Sequence, residues 1–172
     1  AGALLQFAEH TQGRALSHVQ SLLVQRDDTL IDLPPATRRN LELTRTLRGE
    51  ESPTLFSLMD TCMSGMGSRL LKRWLQEPPR DRSVAQARLD AIAALQGTAQ
   101  GAGPWQRLRE QLKGISDVER ITARIALRQV RPRELVGLQL TLQKAELLAQ
   151  VVPGQGALLA QILGHLTPPP GC

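Results

Sequence analysis

The sequence predicts a mainly α protein, an antiparallel multi-helix bundle with one small β-hairpin near the N-terminus. Leu, Ala, Gln, Arg and Glu are frequent along the chain, and all of them are good helix formers. Strand-favouring aromatic residues number only four, two Phe and two Trp, and Tyr is absent. Proline and glycine pairs recur at intervals that suit short connections between neighbouring helices.

The first 35 residues are predicted to combine a short helix with the hairpin. The stretch LLQFAEHTQ places three apolar side chains on one helical side and predicts the helix. Apolar residues then occur at positions 19–24 and 30–33, on both sides of a charged, turn-like segment at residues 26–28. This pattern predicts the two arms of the hairpin, and a proline pair closes the segment.

Helices beyond this point begin at recognisable capping signals. Ser52-Pro53 predicts an N-cap and a first helical residue for the helix TLFSLMD. Ser64 is the expected cap of the next helix, GMGSRLLKRWLQE, which a second proline pair ends. Ser83 and Gln86 form a capping-box pattern before VAQARLDAIAALQ.

The second half of the chain continues in the same way. A Gly-rich connection, GTAQGAGPW, leads to a predicted helix at residues 105–113. Asp117 is the expected cap of a helix at residues 118–128, and Pro132 is expected to start a long helix. The last helix is predicted over residues 155–166.

The core is expected to form from apolar side chains that recur at helical spacing on these segments. Burial of such residues would join helices that are distant in the sequence. The predicted members are Leu58, Met66, Leu70, Trp74, Leu89, Ile92, Leu95, Ile121, Ile125 and Leu135.

Charge and cysteine content indicate which partners and which cellular compartment to expect for this protein. The chain has 21 basic and 16 acidic side chains, and the net charge of +5 permits contact with nucleic acid, although a solvated face is the commoner meaning. Cys62 and Cys172 lie far apart and predict reduced thiols of a cytoplasmic protein. No apolar run reaches the ~20 residues that span a bilayer, so no membrane partner is expected.

The stretch MSGMGSRLLKR, residues 63–73, is a candidate phosphate-binding loop. An ATPase-type loop needs Gly-x-x-x-x-Gly-Lys-Ser/Thr. Here Gly65 and Gly67 are two apart, no Gly-Lys pair follows, and Leu70 stands where a dinucleotide fingerprint needs a third glycine. The stretch therefore predicts a helix start, in which Gly67 allows another group to approach the backbone closely.

The helix that follows this stretch carries the candidate contact residues. Basic and amide side chains at i, i+3, i+4 and i+7 form one face, made by Arg69, Lys72, Arg73 and Gln76. We expect this face to be mainly solvated or ion-paired. Its alternative role is weak contact with phosphates or with a neighbouring domain, through Arg69, Lys72 and Arg73.

No catalytic, cofactor-binding or metal-binding residue is predicted. His10, His18 and His165 are scattered and lack the spacing of a metal-binding helix. Adjacent carboxylates at residues 27–28 and 50–51 stand in turns, where they do not make an acid–base pair without a cleft. The residues therefore give no enzyme signature.

Five blocks of sequence stand in order along the chain, and they are Arg39-Asn40-Leu41-Glu42, Met66-Gly67-Ser68-Arg69, Trp74-Leu75, Asp117-Val118-Glu119-Arg120 and Arg131-Pro132-Arg133. Together they resemble the core, or lever, region of the MutS family of bacterial DNA mismatch-repair proteins. The opening helix and hairpin resemble the end of the family's connector domain. The resemblance covers nearly the whole chain.

The resemblance implies a division of the chain into two parts of a longer protein. Residues 1–35 would be the end of the connector domain with the linking hairpin. Residues 36–172 would be the first part of the helical core, truncated before the DNA clamp. The segment Phe7-Ala8-Glu9 has the Phe-x-Glu form of the family's mismatch-reading motif. It aligns instead with the connector's last helix, so Phe7 is expected to be a packed helix residue.

The resemblance also implies a role. The chain would be a non-catalytic helical core that couples mismatched-DNA recognition and clamping to the ATPase domain of the intact protein. ATP and Mg would bind outside this chain, and no cofactor is expected within it. Other domains of a homodimer would contact mismatched duplex DNA and downstream repair proteins. The alternative, based on the net charge and the basic face, is an independent basic helical module that binds nucleic acid non-specifically.

Overall fold

The computed structural model describes residues 2–13, 19, 21, 29–98 and 101–166 as a mainly helical protein. Over these ranges the chain forms nine helices and two strands of two residues each. In chain order they are α1 (Gly2–Gln12), α2 (Pro35–Asn40), α3 (Leu55–Met59), α4 (Gly65–Gln76), α5 (Arg82–Gln96), β1 (Gly97–Thr98), β2 (Gly101–Ala102), α6 (Trp105–Leu112), α7 (Val118–Ala126), α8 (Pro132–Val151) and α9 (Ala157–His165). The mainly α class predicted from the sequence is confirmed.

Three helices begin at the residues predicted from the sequence. The Ser64 hydroxyl accepts a hydrogen bond from the Gly67 N–H at 3.1 Å and begins α4. The Asp117 carboxylate accepts one from the Arg120 N–H at 3.2 Å and begins α7. Each cap satisfies a backbone donor that the first helical turn leaves unpaired. Pro132 is the first residue of α8, where its missing N–H costs no hydrogen bond.

Two other caps lie two residues away from the predicted positions. Helix α3 begins after Thr54, whose side chain forms a reciprocal capping box with Ser57, and Ser52 is not the cap. Helix α5 begins after Asp81, whose Oδ1 accepts a hydrogen bond from the Ser83 N–H at 2.8 Å. Asp81 is therefore the N-cap of α5. Ser83 lies inside the first turn, and its N–H is the donor that the cap satisfies.

The predicted N-terminal hairpin has no support among the described residues. Most of its first arm, residues 19–24, and its turn lie outside them. The described part of the second arm pairs with a different segment, since Leu30 forms an antiparallel bridge with Pro79 and the Ile31 N–H donates to the Pro78 carbonyl at 2.9 Å. The two prolines do not continue α4, and the carbonyl of Pro78 is free to accept a hydrogen bond from this segment.

The predicted Gly-rich connection between α5 and α6 contains the two short strands. They pair antiparallel, with Gly97 opposite Ala102. Gly103 lies so close to the end of α5 that a Cβ atom there would overlap the backbone of residues 95–97. A chain reversal this tight needs a residue without a side chain.

Helix α8 is the longest element and the one against which α6 and α7 pack. Its 20 residues correspond to about 30 Å. The Thr141 hydroxyl accepts a hydrogen bond from the Ser116 N–H at 2.9 Å, and the Lys144 ammonium donates to the Lys113 carbonyl at 2.7 Å. The connection between α6 and α7 is therefore tied to α8 by its backbone. Over the described residues, no helix combines the length and the apolar content needed to cross a membrane.

The core is small and lies where α5 meets α9 and where α6 and α7 meet α8. Its buried apolar residues are Ala91, Leu108, Ile121 and Leu159. Of the predicted core, Ile121 is confirmed, and Met66 and Leu95 are half-buried. The prediction was wrong for the exposed members, which are Leu58, Leu70, Trp74, Leu89, Ile92, Ile125 and Leu135. Helical spacing identifies the apolar side of a helix, but burial requires a second element that covers that side.

A matched pair of leucines tests this corrected core. Leu108→Ala should lower the free energy of unfolding by about 2–5 kcal/mol, because it leaves a cavity between α6 and α8. Leu58 is 81% exposed, so Leu58→Ala should change it by less than about 0.5 kcal/mol. Urea unfolding curves of both variants would measure the difference. Equal losses would contradict the assignment of the core.

A matched pair of glycines tests the helix start at α4. The side chain of Cys62 does lie close to Gly67, but an added Cβ would be 3.4 Å from the Cys62 Cβ and the Ser64 Oγ, which is van der Waals contact, so a methyl group fits there. Gly67→Ala should therefore raise the free energy of unfolding by up to about 1 kcal/mol, since alanine is favoured in helices. Gly103→Ala should lower it by more than about 1 kcal/mol. Thermal unfolding of both variants distinguishes these outcomes, and a loss at Gly67 would refute the first.

Candidate functional site

The three basic side chains on the predicted face of α4 each contact a different part of the protein. Arg69 contacts α7, Lys72 lies over an aromatic ring of α3, and Arg73 pairs within α4's own C-terminal end. Gln76, the fourth member, donates from its side-chain amide to the Thr44 hydroxyl at 3.3 Å. The face thus joins α4 to its neighbours at several points along its length.

Arg69 makes the strongest of these contacts. Its Nη1 lies 2.7 Å from Asp117 Oδ2 and its Nη2 lies 2.9 Å from Asp117 Oδ1. The same Nη2 is 2.6 Å from Glu119 Oε2. The two parallel bonds to one carboxylate are the geometry in which a guanidinium binds most specifically. They connect α4 to the first turn of α7 across 48 residues of sequence.

Asp117 serves two helices with one carboxylate. It caps α7 by accepting the Arg120 N–H, and it also receives both bonds from Arg69. Hydrogen bonding to Arg69 is the main reason that the pKa of Asp117 lies below its ordinary value, with the Arg120 N–H adding to the effect. The pKa of Arg69 is raised, first by Asp117 and then by Glu119. Both partners are therefore charged at neutral pH.

The remaining two basic residues make weaker contacts. The Lys72 ammonium lies 5.5 Å from the centroid of the Phe56 ring, a cation–π distance. The Arg73 Nε is 3.1 Å from Glu77 Oε2 in an i, i+4 ion pair. The Arg73 pair is exposed and short-range in sequence, so it contributes little to stability and leaves Arg73 accessible to a further anion.

The junction between α3 and α4 holds a second polar cluster, which the sequence patterns did not indicate. The Ser68 hydroxyl donates to Asp60, and the Cys62 N–H donates to Asp60 Oδ1 at 3.2 Å. The Ser68 bond holds the pKa of Asp60 below its ordinary value. Burial, together with the Asp60 carboxylate, raises the pKa of the free Cys62 thiol. A thiol with a raised pKa is a poor nucleophile.

A cleft of about 490 Å³ lies between α2 and the following loop, and sequence reasoning missed it. We call it the arginine cleft, because its lining includes Arg38, Arg39, Arg45 and Arg48, together with Thr44 and Gln76. The signal was present in the stretch TRRNLELTRTLRG, which carries four arginines in 13 residues. Helical spacing does not reveal it, because two of the arginines lie in a loop.

Other residues singled out from the sequence lie apart from these clusters. Phe7 is on α1 with its side chain 65% exposed, so the prediction of a packed residue was wrong. His10 and His165 are exposed at the ends of α1 and α9, and His18 lies outside the described residues. In the described ranges, no three His, Cys, Asp or Glu side chains come together as a metal site.

The family model for MutS domain III matches residues 36–164. The match runs from α2 into α9 and covers more than half of the chain. It includes Arg69 and both of its carboxylate partners, and it includes the whole arginine cleft. The resemblance drawn from the five sequence blocks is thereby confirmed.

The double role of Asp117 predicts a pH-dependent contribution to stability. Its pKa is lowered by folding, so its stabilising effect is present above the unfolded value of about 3.9 and is lost as the pH falls through the folded value. Asp117→Asn keeps a capping oxygen and removes the charge. The variant should be less stable than wild type at pH 7, and the difference should shrink below about pH 4.

Urea unfolding at both pH values measures this difference, and Arg69→Ala provides the control. If the two residues act as one pair, the double variant should lose no more stability at pH 7 than the larger of the single losses. Additive losses, or a difference that persists unchanged in acid, would show that the pair is not the source of the effect.

Proposed function

We propose, on the premise that this chain belongs to the MutS family of DNA mismatch-repair proteins, that its domain III is a mechanical relay. MutS domain III is a non-catalytic helical domain, and intact members of the family bind DNA and dimerise. In the intact protein the relay would couple mismatch recognition and clamping to an ATPase domain. ATP and Mg²⁺ would bind in that domain, outside the described helices.

The observation that carries this proposal is the bidentate bond between Arg69 and Asp117. A relay needs rigid elements joined by contacts that transmit a displacement. Here α4 is fixed to the first turn of α7, and α7 packs on the 20-residue helix α8. A movement of α4 would therefore reach α8 through one ion pair and one helix interface.

The uncovered apolar surface of α8 supports contact with further parts of such a protein. Val136, Leu140 and Leu147 lie at i, i+4 and i+11, which is one side of the helix, and all three are exposed. A row of exposed apolar side chains on a long helix is typical of an interaction surface. This surface would join the relay to neighbouring domains.

The rival function, a basic module that binds nucleic acid through the α4 face, is less well supported by the same geometry. Arg69 has two carboxylate partners, and Arg73 has one. Contact with a phosphate would require these ion pairs to open. The α4 face is thus better suited to holding helices together than to binding DNA.

The relay is tested in an intact MutS-family protein that carries this domain. Arg69→Ala should lower the stimulation of ATP hydrolysis by mismatched DNA several-fold, because it uncouples α4 from α7. The rate without DNA should stay at the wild-type value, since it reports on the nucleotide site alone. Arg107→Ala is the control, because it removes the same charge from an exposed position on α6.

Two results would contradict the relay. One is a full response to mismatched DNA in the Arg69 variant. The other is tight binding of this chain by itself to mismatched duplex in preference to matched duplex, measured at about 50 and 200 mM salt. The relay predicts binding that is weak and does not distinguish a mismatch.

A further inference from the structure

We propose that the arginine cleft is a binding site for a phosphate group, separate from the relay contacts of α4. Four of its lining side chains are guanidinium groups, contributed by Arg38, Arg39, Arg45 and Arg48. All four residues are exposed, and no carboxylate is among the described lining residues. A positive potential is therefore concentrated at an open cleft large enough for a small ligand or a segment of a larger one.

Three of the four arginines are held by backbone carbonyls without being neutralised. Arg38 Nε donates to the Leu33 carbonyl at 2.8 Å, and Arg39 Nη2 donates to the Leu47 carbonyl at 3.3 Å. Arg45 Nη1 is 3.4 Å from the carbonyl of the nearby Gly49. Each guanidinium has five N–H donors, so one bond to the backbone leaves most of its donors for a ligand. The described ion pairs include none of the four arginines of the cleft.

The loop that carries two of the arginines has a fixed shape. The Thr46 N–H donates to the Glu50 carbonyl at 2.9 Å, and the Thr46 hydroxyl accepts the Glu50 N–H at 3.1 Å. The Leu47 N–H donates to the Glu42 carboxylate at 2.7 Å, which turns that acid towards the loop backbone. Thr46 is buried, and Gly49 has the positive φ of +86° that closes the turn. A loop ordered before binding loses little entropy when a ligand arrives.

Neutral donors complete the cleft. The Thr44 hydroxyl accepts the Gln76 side-chain amide at 3.3 Å, so its own O–H remains able to donate. This bond also joins the loop to the last turn of α4, which forms one wall. Charged and neutral donor residues thus line the same cleft.

This donor set suits a phosphate better than a carboxylate. A carboxylate has two oxygens in one plane, and a single guanidinium fork satisfies it. A phosphate offers oxygens in several directions and carries more charge, so it can use guanidinium groups from different sides of a cleft. The phosphate could belong to the backbone of duplex DNA or to a free compound such as a nucleotide.

The test uses this chain and a short fluorescein-labelled matched duplex, followed by fluorescence anisotropy at about 50 and 200 mM salt. Arg45→Gln and Arg48→Gln should each weaken binding about tenfold, and each should reduce the slope of log K against log salt by about 1. Arg48 has no hydrogen bond or ion pair with described residues, so its replacement leaves the fold intact. Arg107→Gln is the charge-matched control and should give close to the wild-type affinity.

Competition with unlabelled molecules identifies the source of the phosphate. Displacement by pyrophosphate or ATP would assign the cleft to free phosphate compounds, and displacement only by unlabelled duplex would assign it to the DNA backbone. Either result supports the site if it depends on Arg45 and Arg48. Equal effects of Arg48→Gln and Arg107→Gln, absence of binding at about 50 mM salt, or equally effective displacement by poly-glutamate would overturn it. The relay is tested through Arg69, which is outside the cleft, so the two proposals can fail independently.

Discussion

The bond between Arg69 and Asp117 is the contact on which the arrangement of the described helices depends. It joins residues 48 positions apart, and it acts at the point where Asp117 also begins α7. A change in either function of Asp117 would therefore disturb the other, because one carboxylate provides both. Helix α7 in turn packs on α8, and α8 packs on α6. The charged pair that ties α4 to α7 is itself partly exposed to water.

This reliance on polar contacts follows from the small core. Each of the four buried apolar residues comes from a different helix, and large apolar side chains remain exposed on α3, α5 and α8. Helices held in this way owe their positions to caps, to backbone hydrogen bonds from loops and to a few ion pairs. Such contacts fix the orientation of one helix relative to another more strictly than apolar packing does, because each hydrogen bond needs a particular donor and acceptor geometry. A domain that passes movement between neighbours benefits from fixed directions and from uncovered surfaces on which those neighbours can pack.

Helix positions were predictable from the sequence, whereas contacts between helices were not. Ser64, Asp117 and Pro132 act within one turn of their own position, so the local pattern was sufficient to place α4, α7 and α8. The pairing of Leu30 with Pro79 depends on two segments that meet only after folding, so the local pattern did not indicate it.

In the candidate site, too, the residues on one helix were predictable from the sequence, whereas their partners on other elements were not. The basic face of α4 was visible from spacing alone, but nothing in that spacing identified Asp117 as the partner of Arg69. The arginine cleft was missed because helical periodicity compares residues on one helix, and here a loop brings Arg45 and Arg48 to the same volume as α2. The burial prediction failed at Leu89 for another reason, since this residue lies nearly opposite the buried Ala91 on α5 and is exposed.

The way in which α8 is held has a geometric consequence. Its described polar contacts with other elements fall between Glu134 and Lys144, so the last two turns extend beyond the part that is fastened. The segment from Lys144 to Val151 spans about 10 Å, so a turn of roughly 10° about Lys144 displaces Val151 by about 2 Å. Angular changes at Lys144 would thus move the end of α8, and with it the start of the connection to α9, by about 2 Å.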